Sequence, residues 1–286
     1  MLISTLKQYQ YHGKIKHKKE GHTMERIAII SDIHGNLEAL KTVLQDIETR
    51  GIQRIFCLGD IVAKGVHAKA CLTLLKEKCQ VIIQGNCDEF VAKSYSQEKL
   101  NNRIIWNQTL LSKEERQALL ALPFSFDFYL SGSLIRLVHA TPWANNVFIG
   151  AASSLQEEWQ MFLPTSKTEK EIADIIVYGH THTPYINKAF HHTLINAGSV
   201  GNPIEIFQDR HHPGNYSQST RACYLILEGN YQDKKIGPLS YSYVHIPYDI
   251  EKELSSPISN PEKEAYENEL RYAKYRDMGK LELKIK

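Results

Sequence analysis

Five short runs of aliphatic and β-branched residues in this chain each stop on a side chain that can ligate a metal. RIAII (26–30) runs into Ser31-Asp32-Ile33-His34-Gly35-Asn36, RIFCL (54–58) into Gly59-Asp60, and VIIQ (81–84) into Gly85-Asn86-Cys87-Asp88. LIRLV (134–138) is followed by His139, and IIVY (175–178) by Gly179-His180-Thr181-His182. Runs of this length and composition read as buried strands. In open α/β sheets the loops beyond the strand carboxyl ends converge on one crevice. The pattern therefore predicts that two carboxylates, one amide and four imidazoles meet in one place.

The spacing between the runs fills in the rest of the fold. Leu37, Leu40, Val43, Leu44 and Ile47 recur at helical spacing between Asn36 and about Arg50, and a second helical pattern runs to about Lys78. This β-α-β-α-β rhythm calls for parallel strands with crossover helices. From about Asp88 to Leu122 the pattern is wholly helical, with Ser112 and Glu115 spaced as a capping box and Pro123 as its end. We read 88–122 as a helical insert. Strand patterns follow near 124–130, 134–138, 174–178, 185–189, 193–196, 223–228 and 240–247, with an amphipathic segment over about 153–162. A β-α-β first half and a β-rich second half predict an α/β chain with two sheets packed face to face and helices outside. Residues 251–286 read as a charged helical tail, with a surface helix over 251–276 broken near Pro257 and Pro261.

Composition matters here for what it excludes. At 42% apolar and 23% charged over 286 residues, the chain has the makeup of a globular protein with a sizeable core. No apolar run reaches the roughly 18 residues of a membrane span. The start lacks the apolar stretch of a secretory signal, so a cytoplasmic location is expected. The net charge of +2 conceals an asymmetry, because residues 1–23 hold five lysines against one glutamate, leaving the rest at −2. No basic face is in view, and no stable nucleic-acid complex is expected. Residues 1–23 are read as a disordered extension, with Met24 as the natural start and 24–250 as the folded domain. Five cysteines without paired spacing indicate neither a disulfide framework nor a thiolate zinc site. Cys57 and Cys223, inside strand patterns, read as inert core thiols.

Seven candidate ligands exceed the three or four that one zinc takes, so they suit two ions. Mixed nitrogen and oxygen donors without thiolate point to manganese, iron or zinc rather than to calcium or copper(I); of the three, manganese is the ion expected. Taken singly, each motif is an ordinary strand-to-helix turn, and an aspartate there often caps the helix that follows. Their recurrence after five strands carries the argument.

The order D-x-H, G-D, G-N-x-D, H and G-H-x-H resembles the motif series of the calcineurin-like metallophosphoesterase superfamily, over about Met24–Tyr248. Within it the chain is similar to the small bacterial and archaeal phosphodiesterase group, which also carries G-N-C-D, an insert with Trp106, Leu111, Glu114 and Leu122-Pro123, and the Asn196–Pro203 segment. The 204–219 stretch is similar to that of bacterial members related to asymmetric dinucleoside tetraphosphatases.

The resemblance implies a four-layer α-β-β-α sandwich and two divalent ions. One would be held by Asp32, His34 and His182, the other by Asn86, His139 and His180, with Asp60 bridging. It further implies in-line attack on phosphorus by a metal-bridging hydroxide, with Asp60, Asn86, Cys87, Asp88 and His139 as the catalytic group. Cys87 stands where many members carry a histidine thought to protonate the leaving group. The expected substrates are phosphorylated small molecules or nucleotides, cleaved at phosphodiester or phosphoanhydride bonds. Two other readings are a protein serine/threonine phosphatase-like monoesterase and a non-catalytic partner-binding scaffold on the same fold; the scaffold would be expected to have lost ligands. No oligomeric state is predicted.

Overall fold

Every residue of the first strand from Ile27 onward is buried, which a strand can tolerate only when both faces of its sheet are covered. The computed structural model describes residues 24–93, 102–150, 152–203, 205–208 and 216–273. Strand β1 (Glu25–Ile30) pairs in parallel with β2 (Arg54–Cys57), and β2 with β3 (Val81–Ile82). On its other side lie antiparallel β11 (Ala222–Gly229) and β12 (Ser240–Ile246), giving the order β12-β11-β1-β2-β3. The second sheet runs β4 (Ser125–Leu130), β5 (Ser133–Val138), β6 (Ile175–Tyr178), β8 (His192–Asn196), β7 (Tyr185–Ala189). In it β5, β6 and β8 are parallel.

Side-chain alternation sorts these strands into layers. Ile27 and Ile29 of β1 join Phe56, Phe128, Ile135, Leu137, Val177 and Leu225 in the core between the sheets. Ala28 and Ile30 face the other way, into a core shared with α1 (Leu37–Thr49) and α2 (Ala68–Lys78). The outer face of the second sheet, Ile176, Tyr178 and Leu194, packs on Met161 and Phe162 beside α6 (Leu155–Gln160). The protein is thus an α/β sandwich of two mixed five-stranded sheets flanked by helices, as the sequence predicts.

The cap of the first helix is an asparagine, not the aspartate of the first motif. Asn36, not Asp32, caps α1, its side-chain oxygen accepting from Ala39 N–H at 3.1 Å. Ser112 and Glu115 form the expected reciprocal cap of α5 (Lys113–Leu120), which packs with α4 (Asn102–Thr109) and α3 (Asn86–Ala92) on the first sheet's side. Strand β3 is shorter than its apolar run, because Gln84 N–H leaves the ladder to bond Pro123 O. A hairpin of β9 (Glu205–Gln208) and β10 (Tyr216–Ser219), unanticipated in the sequence, forms a sheet of its own.

The C-terminal segment breaks near its prolines into α7 (Ile250–Leu254) and α8 (Lys263–Tyr272). Charged as it is, α8 buries Tyr266, Glu269 and Leu270 against the body, so it is more than a surface helix. The expectation for 1–23 lies outside the described residues, as do 94–101 of the insert.

Candidate metal centre

All seven predicted ligands follow parallel strands: Asp32 and His34 after β1, Asp60 after β2, Asn86 after β3, His139 after β5, His180 and His182 after β6. The first four come from one sheet and the last three from the other, so the site lies across the sandwich edge. Five of them, Asp32, His34, Asp60, His180 and His182, adopt positive φ between 51° and 65°. A non-glycine residue in that region costs on the order of 1 kcal/mol or more and persists where its surroundings hold it. Here backbone bonds between the loops do so: Asp32 N–H to Gly59 O, His34 N–H to Asp60 O and Gly179 N–H to His139 O, all within 3.0 Å. The motif glycines have a steric origin. A Cβ on Gly85 would strike Asp60, and one on Gly179 would strike Ser31 and Asp32.

Three imidazoles are aimed in the same way. His34 Nδ1 bonds Val62 O at 3.2 Å, His139 Nδ1 bonds Leu58 O at 2.8 Å, and His182 Nδ1 bonds Asn202 O at 2.7 Å. A backbone carbonyl can only accept, so each Nδ1 carries a proton and each Nε2 is the nitrogen that faces inward. In the first cluster His34 Nε2 and His182 Nε2 lie 3.0 Å apart, with Asp32 Oδ1 at 3.8 and 3.2 Å. Two lone pairs and a carboxylate at this spacing repel one another, a repulsion that a bound cation would relieve. Asp32 Oδ1 has no hydrogen-bond partner, whereas Oδ2 accepts from Ser31 Oγ and His180 N–H.

The second cluster has the same character. The end of the Asn86 amide that faces inward lies 2.9 Å from His180 Nδ1, 3.0 Å from His139 Nε2 and 3.2 Å from Asn145 O. With its nitrogen turned in, Asn86 would donate to these acceptors; with its oxygen turned in, it becomes a further ligand. Asp60 serves both sides, Oδ1 standing 3.4 Å from His139 Nε2 and Oδ2 3.7 Å from His34 Nε2. Asp32, His34 and His182 thus form one group of donors that could hold a metal ion, and Asp60, His139 and His180 another, with Asn86 beside the second.

Electrostatics carry the same signature. Burial alone would raise both aspartates, but His182 beside Asp32 and His139 beside Asp60 hold them well below the carboxylate range. Burial likewise opposes a charged His139, yet Asp60 outweighs it and lifts His139 to about 9. Burial and the neighbouring His139 push His180 down to about 4. In the absence of a cation, the carboxylates gather a proton in its place.

Two predicted residues take other positions. Asp88 spends its oxygens on the backbone, Oδ1 accepting from Ile61 and Val62 N–H and Oδ2 from Gly85 N–H. It braces the loop that carries Asp60. Cys87 donates its N–H to Asp60 Oδ1 at 2.8 Å, and its thiol lies within 4.8 Å of ligand atoms of His34 and Asp60. Ser199 and Asn202 lie outside the predicted ligand set but support it. Ser199 Oγ donates to Asp32 O and accepts from Asn202 N–H, while Asn202 holds His182. Their only sign in the sequence is the polar Asn196–Pro203 segment directly after an apolar strand.

A family model for the calcineurin-like phosphoesterase superfamily domain matches residues 25–217. The chain belongs to the calcineurin-like phosphoesterase superfamily. It is accordingly a metal-dependent phosphoric ester hydrolase. Among characterised and uncharacterised relatives, it is 30% identical over 246 residues to the uncharacterized protein MJ0912 of Methanocaldococcus jannaschii, covering 82% of this chain and 92% of that protein. It is 25% identical over 190 residues to phosphodiesterase YfcE of Escherichia coli K12, covering 63% of this chain and 82% of YfcE. In fold it matches the crystal structure of a metallophosphoesterase from Sphaerobacter thermophilus with a TM-score of 0.57, at 22% identity over 82% of this chain and 92% of that one. Superfamily membership and the convergent donors agree on the kind of chemistry the edge of the sandwich performs.

Proposed function

We propose that this calcineurin-like phosphoesterase works with two divalent ions, manganese foremost, on phosphodiester or nucleotide phosphoanhydride bonds of small phosphorylated substrates. The observation that carries the reading is Asp60, with one oxygen turned to each of two clusters of lone pairs. Paired divalent ions supply Lewis acidity, lowering the pKa of an attacking water and drawing negative charge off phosphoryl oxygens.

The residues of the chain set up the rest. His34, His139 and His182 are pre-aimed by backbone carbonyls, so little reorganisation accompanies catalysis. Among the seven ligands Asn86 and His180 are the part-exposed ones, so a phosphoryl group approaches from their side. Asp88 keeps the Asp60 loop fixed. The similarity to phosphodiesterase YfcE supports the diester preference. A non-catalytic scaffold has no use for a complete donor set. Five free thiols agree with a reducing compartment, and we place the protein in the cytoplasm.

The test is hydrolysis of bis-(p-nitrophenyl) phosphate, p-nitrophenyl phosphate and dinucleoside polyphosphates by metal-stripped protein, with and without manganese. Manganese is expected to restore turnover, greatest on a diester or anhydride, and Asp60→Asn to reduce it to the metal-free background. Equal rates with and without metal would overturn the proposal.

A further inference from the structure

The C-terminal helix α8 lies beyond the matched family region, which ends at residue 217. It nevertheless reaches the loops that carry the centre. Glu269 of α8 is buried, and its Oε2 accepts from Asn202 Nδ2 at 3.0 Å and lies 3.3 Å from Lys64 Nζ. Lys64, itself buried, donates to Asn202 Oδ1 at 2.6 Å, closing a three-membered polar ring. Asn202 is the residue whose carbonyl, at 2.7 Å, and side-chain oxygen, at 3.2 Å, face His182 Nδ1.

The same segment grips the neighbouring loop twice more. Asn260 Nδ2 donates to Lys64 O at 3.1 Å. The Tyr266 hydroxyl packs so close to Gly65 that a Cβ there would collide with it, and Gly65 N–H is the donor to His34 O. Arg103 of the helical insert joins the same assembly through an ion pair of 3.0 Å with Glu262.

We propose that α8 is a built-in support of one half of the metal centre, and that Glu269 is a positioning residue for His182, acting through Asn202 and Lys64. The inference rests on the two-ion reading above and deepens it. It predicts asymmetry: the half formed by Asp32, His34 and His182 depends on α8, whereas the half formed by Asn86, His139 and His180 does not. His139 is held by Leu58 O, and none of the hydrogen bonds or ion pairs described above runs from α8 to that half.

The experiment is calorimetric titration of metal-stripped, full-length protein with manganese, alongside its thermal midpoint without metal. Substituting a partner that orients a metal-ligating histidine ordinarily weakens binding about 10–100-fold. Glu269→Ala is expected to weaken one of two binding events by that factor and leave the other within about threefold. Glu269→Asp, which shortens the reach while keeping the charge, is expected to weaken the same event at least threefold, and it decides the matter if the alanine variant does not fold. Glu269→Gln retains an oxygen for Asn202 and is expected to restore near-parental affinity, as is the exposed control Glu264→Ala. Parental affinity at both events in the alanine and aspartate variants would overturn the proposal. So would equal weakening of both events with a lowered midpoint, which would make α8 a brace of the fold alone. Failure of the parent protein to bind manganese at all would instead refute the two-ion reading.

Discussion

Cys87 lies in contact range of the centre, and burial together with Asp60 pushes its thiol well above the ordinary range. A thiol so placed is a weaker acid toward a departing alkoxide at neutral pH than an imidazolium would be. Catalysis should then depend steeply on how well the leaving group departs unaided. Cys87→His is expected to raise turnover of alkyl esters about tenfold or more, within the range typical of positioned general acids, while changing p-nitrophenyl esters little. The check is the slope of log rate against leaving-group pKa in both variants; identical slopes would sink the idea. At this scale much of the site was legible. Each of the seven candidate ligands ends an apolar run, and the structure brings all seven together. Lys64 and Glu269, and their tie to Asn202, were not legible, because a polar side chain that meets its partner across 67 or more positions leaves no local period or motif.

Elements were legible in proportion to their regularity. Helix α1 and strands β1, β5 and β6 have strong periods and bounded runs, and they fall where expected. The β9–β10 hairpin has neither, and α6 is shorter than its amphipathic pattern because Ser154 caps it late. What joins elements is harder still to read. Glu253 of α7 is buried at the start of α1, accepting from Glu38 N–H at 3.2 Å and from the Tyr266 hydroxyl of α8 at 3.1 Å. Burial lifts its pKa to about 7. The folded state thus favours the protonated acid more than the unfolded chain does. Its stabilising contribution is complete below the unfolded value of about 4.3 and is lost as pH rises through about 7, by up to about 3 kcal/mol. Glu253→Gln, permanently neutral, should flatten this decline and make the protein about 1–3 kcal/mol more stable than the parent at pH 8. Urea unfolding at pH 5, 6.5 and 8 measures it. A parallel decline in both proteins would remove Glu253 as the cause.

In the whole molecule, the ligands are shared between two sheets held together otherwise by an apolar core, in which Phe56 meets Phe126 and Phe128 edge-on at 5.6 and 5.5 Å. Asp32, His34, Asp60 and Asn86 follow strands of one sheet, and His139, His180 and His182 follow strands of the other. Cations bound among them would cross-link the layers at an edge where, without metal, lone pairs such as those of His34 and His182 face each other at 3.0 Å. Metal should therefore act on global stability as well as on turnover. A ligand bound only by the folded state, present at about a hundred times its dissociation constant, adds about 2.7 kcal/mol. For a chain of this size that corresponds to a rise of about 5–10 °C in the melting midpoint. Metal-stripped protein is expected to melt lower by this amount and to recover on addition of manganese, and Asp60→Asn, lacking the shared carboxylate, should lose most of the recovery. Scanning calorimetry with and without manganese measures both effects. An unchanged midpoint in the parent protein would mean that the seven side chains gather without binding metal, and the enzymatic role argued for this edge of the sandwich would fall with it.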